Sequence, residues 1–173
     1  MSREMPPLPL PDSFEPGADT ARAFRDALGR FATGVTVITC NSDMGPLGIT
    51  ANSFASVSLD PALVLWSPAK ASKRFEAFTK AEHFAIHIMS DVQSGICSGF
   101  SKDGSVFDGF DWHACSKRVP LISHCLSRFE CTREAVHDAG DHAIVVGRVT
   151  RVSTQAGTPL MFYSGKYGGF SET

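Results

Sequence analysis

Residues 48–72 read GITANSFASVSLDPALVLWSPAKAS, and the fold turns on how this stretch is read. Ile49 to Ala51 and Leu63 to Trp66 are apolar runs of strand length, and a polar knuckle separates them. Between Thr50 and Ser58 stand five small polar side chains, Thr50, Asn52, Ser53, Ser56 and Ser58. Two readings fit this pattern. Short hydroxyl and amide groups bond neighbouring backbone in turns, or they meet a flat polar ligand edge-on.

The chain continues as AKASKRFEAFTK over residues 69–80. Phe75 and Phe78 at i, i+3 predict a short helix with Ser72 as its N-cap. Lys70, Lys73 and Arg74 then crowd the helix start, where a cation opposes the macrodipole by ~0.3–1 kcal/mol. A bound anion would offset that conflict, because free N–H groups at a helix start are donors to phosphate. The alternative is that the three side chains extend into water. Neither a GxGxxG nor a Walker loop is present; the nearest match, Gly99 to Gly104, is followed by Ser105 where lysine is required.

Upstream, residues 1–17 carry five of the ten prolines and predict a flexible arm that is neither helix nor sheet. Residues 18–173 then form the folded unit. Phe24, Ala27, Leu28 and Phe31 recur at i, i+3, i+4, i+7, which predicts a one-sided helix ending near Gly34. Val35 to Cys40 reads as a strand, and residues 41–46 (NSDMGP) as a turn.

Downstream, residues 81–89 (AEHFAIHIM) predict another strand. His83 and His87 then lie ~13 Å apart along it, and Phe84 stands where a metalloprotease helix needs glutamate, so no metal site is expected. A weak helix covers Asp91 to Phe100. Phe100, Phe107, Phe110 and Trp112 surround a loop and either pack on one another or form a lid over an aromatic cofactor. Leu126 to Ala135, His142 to Val152 and Leu160 to Tyr163 predict antiparallel strands. Some six strands with short flanking helices and no βαβ alternation indicate a mostly β, closed antiparallel barrel.

Composition restricts the function classes. A length of 173 residues suits one domain with a sizeable core. The 43% hydrophobic and 20% charged content is that of an ordinary soluble protein, and a net charge of −2 gives no reason to expect nucleic acid or an anionic membrane. No apolar run reaches transmembrane length, and no signal-peptide core is visible. Five cysteines without CxxC spacing argue against a disulfide framework and for a reducing cytoplasm.

Four segments carry a resemblance: Arg30 to Val37 (RFATGVTV); Thr50 to Leu59 (TANSFASVSL) with Pro61 and the strand ending at Ser67; Gly140-Asp141-His142; and Pro159 to Tyr163 with Gly165 to Gly168. In this order they resemble the short-chain NAD(P)H:flavin oxidoreductases, the reductase components of two-component flavin monooxygenases. The likeness spans Phe24 to Phe170, nearly the whole chain.

The resemblance implies a Greek-key, FMN-binding split barrel that dimerises, with flavin sites at the subunit interface. It implies FMN or FAD as flavin and NADH or NADPH as hydride donor. By resemblance, Thr50, Ala51, Asn52 and Ser53 border the isoalloxazine and ribityl chain. Ser67, Lys70, Ala71 and Ser72 hold the phosphate. Phe100, Phe107 or Tyr167 flank the flavin, and His142 positions the nicotinamide. The implied recipient of reduced flavin is a separate monooxygenase. Two other outcomes stay open: a non-catalytic flavin- or haem-binding split barrel, and a sister enzyme such as a pyridoxamine phosphate oxidase. The Thr50–Ser53 and Gly140–His142 segments speak against the second.

Overall fold

A computed structural model of the chain describes residues 13–172, so most of the proline-rich arm, residues 1–12, lies outside the described residues. The elements in order are α1 (Ala21–Leu28), β1 (Thr33–Gly34), β2 (Thr36–Ser42), β3 (Gly45–Ala51), β4 (Ala55–Leu59), β5 (Ala62–Trp66), α2 (Phe75–Lys80), β6 (His83–Ile88) and α3 (Ser94–Lys102), followed by β7 (Trp112–Ala114), β8 (Pro120–Ile122), β9 (Ser127–Ala139), β10 (His142–Thr154), β11 (Met161–Tyr163) and β12 (Lys166–Gly168). One seven-stranded sheet dominates, in the order β3-β2-β6-β9-β10-β5-β4, with every pair antiparallel. Small sheets β1-β11-β12 and β7-β8 complete the strands.

The order explains the curvature. β3 and β4 are consecutive in the chain, yet they are the two edges of the sheet. Laid flat, seven strands would hold those edges ~29 Å apart. Only residues 52–54 link Ala51 to Ala55, and so short a link spans at most ~14 Å. The sheet must therefore curl until its edges approach. They approach without pairing, so the barrel is split along the β3/β4 seam and is not closed by hydrogen bonds as the strand pattern alone suggested. The segment from Gly48 to Ser72 builds both sides of that seam. Pairing of β2 with β6 and of β5 with β10 gives the Greek-key route.

Burial follows strand alternation. On one face of β2, Ile38 and Cys40 join Val64, Trp66, Phe78, Phe84, Ile86 and Val145 inside the barrel. On the other, Val37 joins neighbouring Val35 in packing with Met89, Cys97, Phe100, Ile122 and Leu160, beneath α3. Gly48 permits this second layer: a Cβ there would stand 2.4 Å from the Phe100 ring. His87 is fully buried between β2 and β8. Its Nε2 accepts the Ile122 N–H at 3.0 Å, so Nδ1 carries the proton and donates to the Val37 carbonyl at 2.9 Å. Burial lowers its pKa to about 3.

Several expectations change. α1 stops at Leu28, with Gly29 as its C-cap, rather than near Gly34. None of its residues is buried: Phe24, Leu28 and the following Phe31 are 43%, 60% and 79% exposed. The polar knuckle contains a strand, β4, paired with β5. β9 runs on to Ala139, leaving only Gly140 and Asp141 as the turn into β10. Of the two readings of the aromatic segment, packing on itself is the one the structure shows, with Phe100–Phe107 and Phe107–Trp112 ring centroids both 5.0 Å apart and the Trp112 indole donating to the Phe107 carbonyl.

Candidate active site at the barrel seam

The link across the seam is fastened by a hydroxyl. Ser53 Oγ accepts the Ser67 N–H at 2.9 Å and lies 3.3 Å from the Ser67 carbonyl, joining the β3–β4 link to the end of β5. Beyond Ser67 the chain meets the β9–β10 hairpin. The Ala143 N–H donates to the Pro68 carbonyl at 3.1 Å, and the Lys70 N–H donates to the Asp141 carbonyl at 2.9 Å. Ala69 forms an antiparallel bridge with His142. Three segments far apart in sequence are thereby joined, 50–53 to 67–72 through the Ser53 hydroxyl and 67–72 to 140–142 through backbone contacts.

A cavity of about 240 Å³ opens beside the link, lined by Val35, Thr50, Ala51, Asn52, Ser101, Phe162 and Tyr167. Tyr167 reaches it from β12 with its ring edge-on to Phe162, centroids 5.7 Å apart, and partial burial raises the pKa of its phenol. The lining is apolar with a short polar edge, which suits a flat aromatic ligand. The Thr50 hydroxyl is engaged with the Cys97 carbonyl at 2.7 Å. Ser53 is engaged with Ser67, so Asn52 is the exposed polar side chain of this segment.

The Lys/Arg cluster divides. Lys70 Nζ lies 2.5 Å from Asp138 Oδ2 and is 39% exposed, and the hydrogen bond holds the Asp138 carboxyl below the usual carboxylate range. Ala71 and Lys73 are exposed and Ser72 half-buried. Arg74 turns inward: Nη1 donates to the Gly48 and Phe100 carbonyls at 2.9 and 2.6 Å, and Nη2 lies 3.4 Å from the Ser101 carbonyl. Arg74 is thus a tie between β3 and the C-terminal end of α3, not a free cation. Ser72 is not the N-cap either. α2 begins at Phe75 with Arg74 as N-cap, and Ser72 Oγ accepts the Arg74 N–H at 3.2 Å.

Phe100 and Phe107 also require correction. They are 0% and 8% exposed and belong to the core beneath α3, so neither ring is free to stack on a ligand. Of the three aromatic candidates, only Tyr167 lines the cavity. His142 stands at the start of β10, half-buried, with Nδ1 2.7 Å from Asp141 Oδ1. A larger cleft of about 690 Å³ shares Lys73 and Arg74 with the cationic turn but contains none of Thr50–Ser53, His142 or Tyr167. No group of three or more His, Cys, Asp or Glu positioned to hold a metal occurs among the described residues. No helix among them is long and apolar enough to cross a membrane.

Asp138 was not singled out by sequence reasoning. The two-residue turn at Gly140-Asp141, with Gly140 at φ +68°, sets Asp138 opposite Ala143 and within reach of Lys70.

Residues 28–171 match the flavin reductase like domain family. The chain belongs to that family. This flavin reductase is 52% identical over 164 residues to the FMN reductase (NADH) SmoA of Agrobacterium fabrum, a match covering 95% of this chain and 94% of the relative. It is 39% identical over 150 residues to HsaB of Rhodococcus jostii, the reductase subunit of a flavin-dependent monooxygenase, covering 86% and 77% of the two chains. The Streptomyces globisporus NADH:FAD oxidoreductase SgcE6, solved with NAD and FAD fragments, superposes with a TM-score of 0.84 at 32% identity, over 92% of this chain and 98% of that one. This chain is an oxidoreductase of the flavin reductase type, built as a split barrel of antiparallel strands.

Proposed function

We propose that this flavin reductase passes a hydride from NADH or NADPH to FMN or FAD and releases the reduced flavin to a separate flavin-dependent monooxygenase. The observation that carries the reading is the convergence of residues 50–53, 67–72 and 140–142 on the seam, beside a cavity that Tyr167 also lines. Hydride transfer from nicotinamide C4 to flavin N5 is the cofactors' own chemistry and needs no protein base. The residues bind and orient.

In this reading the backbone of Thr50–Ser53 and the Asn52 side chain meet the ring edge, since the Thr50 and Ser53 hydroxyls are already engaged. The Lys70 ammonium and Ser72 hydroxyl, with neighbouring Ser67 and Ala71, receive the phosphate, and Tyr167 flanks the ring. His142 faces the nicotinamide. A carboxylate can only accept, so Asp141 fixes the proton on His142 Nδ1 and leaves Nε2 to the ligand.

The monooxygenase partner follows from relatives such as HsaB, a reductase subunit of such an enzyme. We also propose a homodimer. An eight-residue helix with no buried side chain is too short to persist alone, and the apolar face of Phe24, Leu28 and Phe31 needs a cover. A second copy provides one. Five free thiols, four of them buried, suit the cytoplasm.

The functional test is anaerobic mixing of the purified protein with a nicotinamide and excess flavin. Loss of oxidised-flavin absorbance with NADH or NADPH supports the proposal. Flavin binding without reduction would leave a non-catalytic flavin-binding protein. Light scattering of Leu28→Glu, expected as a monomer against a wild-type dimer, tests the assembly.

A further inference from the structure

Lys70 meets a carboxylate in the position where the reading above places a phosphate. We infer that Asp138 competes with the flavin phosphate for Lys70 and so sets how tightly this enzyme holds its flavin. The inference rests on the reading that Lys70 receives the phosphate.

Lys70 Nζ and Asp138 Oδ2 are 2.5 Å apart although 68 residues separate them in the chain. The contact is not a chance meeting of two long side chains. Asp138 sits opposite Ala143 in the β9–β10 ladder. Ala143 bonds the Pro68 carbonyl, and the Lys70 N–H bonds the Asp141 carbonyl. The backbones bearing both groups are therefore fixed to one another, and the carboxylate cannot swing away with its strand when a ligand arrives. The pair is also open to exchange: the Lys70 side chain is 39% exposed and that of Asp138 79%. An ion pair so exposed has a small net value, so a phosphate can displace it.

A phosphate entering this turn meets one ammonium already shared with a carboxylate. It must draw Lys70 from Asp138 or accept a negative neighbour, and either lowers affinity for the phosphate-bearing flavin alone. The same hairpin carries His142, so the competitor and the proposed nicotinamide contact belong to one β9–β10 unit. Such a device suits a flavin that is taken up and released at each turnover rather than kept as a prosthetic group.

The test is titration of flavin fluorescence quenching with FMN and with riboflavin, which lacks the phosphate, on the wild type, Asp138→Asn and Lys70→Met. Both positions face solvent, and asparagine is nearly isosteric with aspartate. Asp138→Asn should tighten FMN binding about three- to tenfold at low salt, with riboflavin unchanged, and the gain should shrink at ~0.5 M salt. Lys70→Met should abolish the preference for FMN over riboflavin. Unchanged or weaker FMN binding by Asp138→Asn, or an equal shift for riboflavin, overturns the competition. If Lys70→Met keeps the FMN preference, the phosphate reading falls, and this inference falls with it. If that preference disappears yet Asp138→Asn has no effect, the role of Asp138 alone is refuted.

Discussion

His142 donates its Nδ1–H to the carboxylate of its chain neighbour Asp141 at 2.7 Å, and the same bond holds the Asp141 carboxyl below the usual carboxylate range. The imidazole is therefore oriented by its own turn before any ligand arrives. His142→Ala is expected to raise the KM for NAD(P)H more than it raises the Kd for flavin. Asp141→Ala, which removes only the orienting acceptor, should raise the same KM by a smaller factor, about three- to tenfold. Steady-state kinetics beside flavin titration separate the two effects. Lost flavin binding with an unchanged nicotinamide KM would reverse the assignment.

Arg74 and Lys70 are four residues apart and have different tasks. The Arg74 guanidinium bonds the carbonyls of Gly48 and Phe100, the second at the unpaired C-terminal end of α3. Arg74→Met leaves those acceptors bare and should lower unfolding stability by about 1–3 kcal/mol, measured in urea. Any loss of flavin affinity should be equal for FMN and riboflavin. A loss confined to FMN would return Arg74 to the phosphate site.

The buried His87 gives the fold an acid limit. Its folded pKa, about 3, lies below the ordinary histidine value of 6.5, chiefly through burial. The unfolded chain therefore binds the extra proton first. Stability from this group is complete above about pH 6.5 and declines as pH falls toward 3, by at most about 1.4 kcal/mol per pH unit. Urea unfolding of the wild type between pH 7 and 5 should show this slope, and His87→Gln should flatten it. An equal slope in both proteins would place the titration elsewhere.

The thiols should differ in reactivity. Burial pushes Cys40, Cys97 and Cys131 up to about 12 and raises Cys125 as well, whereas Cys115 is half-exposed. In the native protein a thiol reagent should label Cys115 first, with the other four reacting only on unfolding. Early labelling of Cys97 would mean that α3 opens under native conditions.

Much of this was legible in the sequence because it is local. The β-branched run of β2 and the apolar runs of β3 and β5 identify their strands, and the order of four short motifs indicates the family. β4 was missed although Ala55, Val57 and Leu59 alternate with Ser56 and Ser58: the serines read as a polar knuckle, and the apolar side of this edge strand is exposed, with Val57 at 49% and Leu59 at 97%. Arg74 looks like a surface cation until Gly48 and Phe100, each 26 residues away, arrive as carbonyl partners. Phe100 and Phe107 signalled that something needed covering; that it was their own core depends on how closely α3 approaches Gly48. The seam itself is a consequence of strand order, which no window of sequence contains.

The most direct test of the central claim, that the seam is the flavin site, is a crystal structure of the protein with FMN. We predict phosphate oxygens within hydrogen-bond distance of Lys70 Nζ and the Ser72 hydroxyl, with the ring edge along Thr50–Ser53 beside Tyr167. Phosphate found instead in the larger cleft, among Lys73, Lys80 and Lys102, would contradict the account.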